Sequence, residues 1–266
     1  MTALARSLPV VRRQRRLLGD SSFAVVACAD VGLQVGPPVH TSRLSDLRAL
    51  ADLPVTGLVV TQAAIPTFAD ILSARPDLRL IIRLDWSNQW RGAHLSPVSD
   101  GTGTTVSTPA EAAASGADAV IHYSLLGNGD PRVETDFVAR AAAAVRDAHA
   151  VGLPCILEPL IRGSNVTGKE RDASHLKWGI RTAEELGADA VKIEFPMDDD
   201  VDDVIGSASI PVFVASTPPI SHEEAVRRAA RGARAGAAGV AYSSDFFLSE
   251  SPADLVSDIR SAATTS

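Results

Sequence analysis

Eight short apolar runs, separated from one another by helix-like or loop stretches, restrict the fold of this chain more than any other feature. They are Phe23–Ala29, Gly57–Thr61, Leu78–Leu84, Asp118–Tyr123, Pro154–Leu160, Asp189–Phe195, Ile210–Ala215 and Ala238–Tyr242. Each is short, β-branched or apolar, and bounded by turn residues, as buried strands are. Between them the apolar residues recur at helical spacing, most clearly over Val133–Ala150, Ala173–Leu186, Ser221–Ala235 and Pro252–Ala262. Ser221 and Glu224 have the spacing of a capping box, and Pro252 suits a first helical position.

The helix-to-strand junctions repeat one pattern: SGADAV at Ser115–Val120, LGADAV at Leu186–Val191 and AGAAGV at Ala235–Val240. A glycine there closes a helix at positive φ, and small residues let the next strand pack closely. Alternating strands and helices with short connections predict an α/β fold, a (β/α)8 TIM barrel forming a single domain over residues 1–266. Residues 1–20 are expected as an N-terminal helical extension at the barrel bottom or flank. A doubly wound open sheet is the alternative, but no G-x-G-x-x-G follows the first run.

The 266 residues match the size of one such barrel. A net charge of −7 is a poor basis for binding nucleic acid or an anionic membrane, which need clustered positive charge. No apolar run reaches the roughly 20 residues that span a bilayer. The basic start (Arg6, Arg12, Arg13, Arg15, Arg16) lacks the apolar stretch of a secretory signal. Cys28 and Cys155 lie within apolar runs and read as reduced core thiols of a cytoplasmic protein.

In a barrel of this kind chemistry is done at the C-terminal ends of the strands, by side chains of inward parity. In DAVKIEF, Val191, Ile193 and Phe195 share one face, and Lys192 and Glu194 share the inward one. Lys192 is one of only three lysines, with Lys169 and Lys177, among 25 basic residues. Burial disfavours an ammonium, so its pKa is expected to fall toward a free, nucleophilic amine that forms a Schiff base with a carbonyl; the alternative is a structural ion pair with Glu194 or another carboxylate. Glu158 is inward on the preceding run, as an acid/base or as the counter-ion of Lys192. Asp30 closes the first run, as a site residue or as a turn residue. Arg83 and Asp85 close the third, and Arg83 is expected to hold an anionic substrate or to pair with Asp85 or Glu158. Either His122 or Tyr123 faces the pocket.

Other features carry less. The acidic run Asp198–Asp200 with Asp202 and Asp203 matches no calcium loop and suits the start of a helix, and the six histidines lack ligand spacing, so no metal is expected. Trp86 and Trp90 are expected as a pocket wall or as surface aromatics. Gly101–Thr105 reads as a flexible loop.

AVVACAD at Ala24–Asp30, GADAV at Gly116–Val120, GLPCILEPLIR at Gly152–Arg162, GADAVKIEFP at Gly187–Pro196 and the closing PVFVAS…AGAAGVAY cover most of the chain. In these segments it resembles the class I aldolases of the tagatose-bisphosphate and sulfofructose-phosphate type, related to the archaeal-type fructose-bisphosphate aldolases. The resemblance implies a metal-independent barrel without a cofactor that makes or cleaves a carbon–carbon bond of a ketose or ketose phosphate. It implies that Lys192 matches the Schiff-base lysine, Glu158 the proton shuttle, and Asp30 an aspartate at the substrate's carbonyl end. The chain departs from the family where a Gly-containing turn and a Gly-Arg pair usually hold phosphate. Ser216 and Thr217 stand after the seventh run, and Ser243 and Ser244 after the eighth. With Arg83 and Arg162, these are the residues expected to bind substrate. Ile121 stands where the tagatose-type enzymes carry a lysine. The expected partner is a small anionic ketose or aldehyde. The alternatives are an unphosphorylated, amino-sugar or secondary-metabolite substrate, or a non-catalytic sugar-phosphate-binding barrel. A homo-oligomer is compatible with the sequence.

Overall fold

The computed structural model describes residues 7–18, 23–36, 43–91, 95–216 and 219–265. In chain order the elements are α1 (Leu8–Leu18), β1 (Ala24–Cys28), α2 (Val31–Val35), α3 (Arg48–Asp52), β2 (Gly57–Thr61), α4 (Ile65–Ala74), β3 (Arg79–Arg83), β4 (Asp85–Ser87), β5 (Gly103–Thr105), α5 (Pro109–Ala114) and β6 (Ala119–Leu126). The second half of the chain adds α6 (Pro131–Ala150), β7 (Cys155–Ile161), α7 (Ala173–Glu185), β8 (Ala190–Glu194), α8 (Val201–Gly206), β9 (Val212–Ala215), α9 (His222–Arg234), β10 (Gly239–Tyr242), α10 (Ser244–Leu248) and α11 (Pro252–Thr264). Eight strands close a barrel in the order β1-β10-β9-β8-β7-β6-β3-β2, and every neighbouring pair is parallel. The eight predicted runs are those eight strands.

Strand alternation sorts the core into two parts. Val26, Val59, Ile81, Ile121, Ile156 and Phe213 cluster inside the barrel. Val25, Leu58, Ile82, Val120, Leu157, Val191 and Val214 pack against the helices. Leu17 of α1 is buried within the interior cluster. Around it Arg13 donates to the Gly152 carbonyl, Gln14 to that of Asp189, and Arg79 to that of Arg16. These partners lie before or at the N-terminal ends of the strands, so α1 closes the bottom of the barrel, away from the strand ends where a site is expected.

The junction glycines behave as the sequence implies. Gly116, Gly187 and Gly236 have φ of 83°, 90° and 93°. After each, the next amide reaches five residues back, from Ala117 to Ala112, Ala188 to Ala183 and Ala237 to Gly232. That bond pattern ends a helix with its last carbonyls satisfied.

Three expectations are corrected. Gly101–Thr105 is not a flexible loop, because Gly103–Thr105 is β5, antiparallel to β4. Gly103 permits this, since a Cβ there would collide with the Trp86 carbonyl oxygen. The strand read as Asp118–Tyr123 runs on to Leu126, because β7 pairs with it as far as Ile161. Ser221 caps α9 by accepting from the Glu224 amide, but the Glu224 carboxylate turns to Arg227 and Arg228, so only half of the capping box forms.

Candidate active site

At the C-terminal ends of the strands the barrel opens into a cavity of about 200 Å³. Its floor is apolar. A small void lined by Val26, Val59, Ile81, Ile121, Ile156 and Phe213 lies beneath Lys192. Lys192 rises from this floor and is 9% exposed.

Its ammonium is not isolated. Lys192 Nζ lies 2.8 Å from Glu158 Oε1. The other oxygen of Glu158 accepts from Arg83 Nη2 at 2.6 Å, and Arg83 Nε donates to Asp30 Oδ2 at 2.7 Å. Arg83 is 1% exposed, and Asp85 Oδ1 stands 3.5 Å from its Nη1. Asp85 is fixed in turn, accepting from the Tyr123 amide at 2.9 Å, while Gln34 bridges the Asp85 carbonyl and the Ser87 amide. The guanidinium of Arg83 lies over the Tyr123 ring, 4.0 Å from its centre. One arginine thus links carboxylates from three places in the chain.

The charge state of Lys192 corrects the sequence expectation. Burial pulls its pKa down, but the charges around it, the Glu158 and Asp30 carboxylates among them, outweigh burial and the repulsion of Arg83, pushing it up to about 12. The resting group is therefore an ammonium. Burial alone would raise the pKa of Glu158, but Lys192 and Arg83 hold it below its ordinary value. Burial pushes Cys28 up to about 12, so it stays a neutral thiol beside the lysine.

Asp30 stands at the start of α2 yet makes no capping bond there. Its side chain serves Arg83 instead. Ser216, Ser243 and Ser244 line the same cavity as Lys192, Glu158, Asp30 and Arg83. Thr217 lies outside the described residues. Ser216 donates to Asp245, which also accepts from the Ile220 amide at 3.0 Å. Burial raises the pKa of Asp245. Ser243 Oγ is buried without a hydrogen-bond partner among the described residues. Arg162 stands at the rim, paired with Glu194 and stacked on Trp90, 4.8 Å from the ring centre. Glu194 and Trp90 line the cavity.

The alternation of β6 resolves the choice between His122 and Tyr123. Tyr123 shares the inward parity of Ile121 and lines the cavity, while His122 is buried with Nδ1 2.6 Å from the Tyr123 carbonyl oxygen. Gln34 and Asp245 carried no sequence signal, since each reaches the site only by folding back from a loop or short helix. The acidic run forms ion pairs, Asp198 with Arg227, Asp202 with Arg231 and Asp203 with Lys177. Among the described residues no three His, Cys, Asp or Glu side chains cluster as metal ligands. Nor is any helix there long and apolar enough to cross a membrane. Cys28 and Cys155 are free and buried.

Comparison with known proteins matches the chain to aldolases. A family model described as DeoC/LacD family aldolase matches residues 45–249. An uncharacterized aldolase of Saccharolobus solfataricus is 28% identical over 245 residues, covering 91% of this chain and 90% of its own. A 2-amino-3,7-dideoxy-D-threo-hept-6-ulosonate synthase of Halobacterium salinarum is 29% identical over 153 residues, 57% of this chain and 56% of its own. An archaeal fructose 1,6-bisphosphate aldolase structure superposes with a TM-score of 0.81 at 20% identity, covering 96% of this chain and 99% of that one. These relatives do not single out the tagatose-bisphosphate or sulfofructose-phosphate type; the resemblance holds at the broader level of the DeoC/LacD aldolases.

Proposed function

Since the chain belongs to the DeoC/LacD family of aldolases, and is thereby a lyase, we propose that it makes or cleaves a carbon–carbon bond next to a ketone through a Schiff base on Lys192. The observation that carries this reading is a nearly buried amine at the strand ends, 2.8 Å from a carboxylate that can take its proton. Lys192 passes a proton to Glu158 and adds to the substrate carbonyl. Loss of water gives an iminium, which withdraws electrons from the adjacent carbon–carbon bond. Glu158 then moves protons on and off the aldol hydroxyl. Arg83 holds Glu158 in place and is itself held by Asp30, which helps orient the substrate's carbonyl end.

Sodium borohydride added with dihydroxyacetone tests the reading. A reduced adduct on the peptide containing Lys192 is expected, and Lys192→Ala is expected to lose it while keeping the barrel folded. An adduct on another residue, or none across a panel of ketones and ketose phosphates, overturns it.

The cavity's charges favour a substrate without a phosphate. Lys192 and Arg83 line it already paired with Glu158 and Asp30, Arg162 at the rim is paired with Glu194, and the Asp245 carboxylate stands behind the Ser216 wall. A phosphate dianion placed near Ser216 meets the Asp245 carboxylate behind that side chain, whereas a sugar hydroxyl donates to the Ser216 and Ser243 oxygens.

A further inference from the structure

Tyr123 is a buried phenol whose hydroxyl has no work in the folded chain. It is 3% exposed, it lines the cavity, and among the described residues its hydroxyl has no hydrogen-bond partner. A buried tyrosine hydroxyl normally finds a partner, so one left open toward a cavity is a site for a ligand atom. Its place is specific. In the β6–β7 register Tyr123 lies directly opposite Glu158, and Arg83 stacks on its ring while bonding both Glu158 and Asp30. Glu158 is itself held by Lys192 on one oxygen and Arg83 on the other.

We propose that Tyr123 is a catalytic residue that donates its phenolic proton to the oxygen leaving the substrate carbon when Lys192 forms the iminium. The proposal rests on the Schiff-base reading of Lys192. Transfer of a proton from the ammonium to Glu158 frees the amine, and its addition gives a carbinolamine with the oxygen as a hydroxyl. The carbon–oxygen bond then breaks as the nitrogen lone pair closes the C=N bond. The departing oxygen takes the Tyr123 proton and leaves as water. The phenolate forms 4.0 Å from the Arg83 guanidinium measured to the ring centre, and Glu158 returns to it the proton taken from Lys192. In sum, an ammonium and a carbonyl become an iminium and a water, with Tyr123 and Glu158 restored. Burial works against a free phenolate, and Arg83 is the group that works the other way.

The test uses the full chain with dihydroxyacetone and borohydride, following adduct formation in time. Tyr123→Phe keeps the ring on Arg83 and removes only the hydroxyl. Its rate of adduct formation is expected to fall on the order of 10²-fold or more, with the concentration dependence on dihydroxyacetone nearly unchanged. Placing 3,5-difluorotyrosine at this position makes the phenol more acidic, and is expected to keep the rate at or above that of the parent chain, an effect a packing role does not produce. A Tyr123→Phe chain that forms the adduct as fast as the parent overturns the proposal and leaves the lysine reading intact. A parent chain that forms no adduct with dihydroxyacetone or with any of the panel of ketones and ketose phosphates overturns both.

Discussion

Lys192 Nζ and Glu158 Oε1 are 2.8 Å apart, on the neighbouring strands β8 and β7, and both side chains point into the barrel mouth. The pair shares one proton over a wide pH range. Lys192 is pushed up from 10.5 to about 12, and Glu158 is held below its ordinary 4.5. Between those limits the reactive arrangement, neutral amine with protonated carboxyl, is a fixed fraction of the pair.

Adduct formation is therefore expected to be flat through neutral pH and to fall on the acid side, as the pair takes a second proton and leaves Lys192 an ammonium beside a neutral Glu158. Glu158→Gln removes the anion that holds the ammonium, so burial then lowers the Lys192 pKa. That variant is expected to react about 10²-fold or more slowly at neutral pH and to accelerate tenfold per pH unit toward the new pKa. A flat profile in Glu158→Gln between pH 5 and 9 would count against Glu158 as the acceptor of the lysine proton.

The same two shifts bear on folding. The stability due to the raised Lys192 is complete below its ordinary value and is lost as pH rises toward about 12. That due to the lowered Glu158 is complete above 4.5 and is lost as pH falls through its folded value. Urea denaturation is expected to show a plateau between these limits, and Lys192→Met is expected to remove the alkaline loss.

Arg83→Leu leaves Asp30, Asp85 and Glu158 buried without the cation they share. Removing one partner of a buried ion pair typically costs about 3–5 kcal/mol. Urea unfolding at neutral pH is expected to show a loss of that order, shrinking as acid protonates the carboxylates. A loss that stays constant from pH 7 to pH 4 would show that the carboxylates are not the cause.

Leu17→Ala probes the opposite end of the barrel. Leu17 is 1% exposed among the interior side chains. Truncating a buried leucine costs about 2–5 kcal/mol. The variant is expected to melt earlier, while its rate of adduct formation, measured below the transition, stays at that of the parent chain.

Dihydroxyacetone and its phosphate differ in the charge that the cavity meets. With the cations of the cavity already paired, the Asp245 carboxylate behind Ser216 predicts that the unphosphorylated ketone has the higher kcat/KM, and that Asp245→Asn narrows the gap. A tenfold preference of the unaltered chain for the phosphate would remove this substrate class.

The sequence by itself determined the features that local rules govern. Strand alternation in DAVKIEF sets Lys192 and Glu194 on one side, as in CILEPL it sets Ile156 and Glu158, and the structure keeps both. The junction glycines fix where helices end, because few other residues accept their positive φ. Barrel closure decided the rest. Arg83 is 53 residues from Asp30 and 75 from Glu158 in sequence, and only the closed sheet places both carboxylates on its guanidinium. The protonation of Lys192 is a sum over those neighbours, so burial read from a single strand gives the wrong sign. The opening of the Tyr123 hydroxyl to the cavity, and the Asp245 carboxylate behind Ser216, likewise depend on chains of contact that no local pattern encodes.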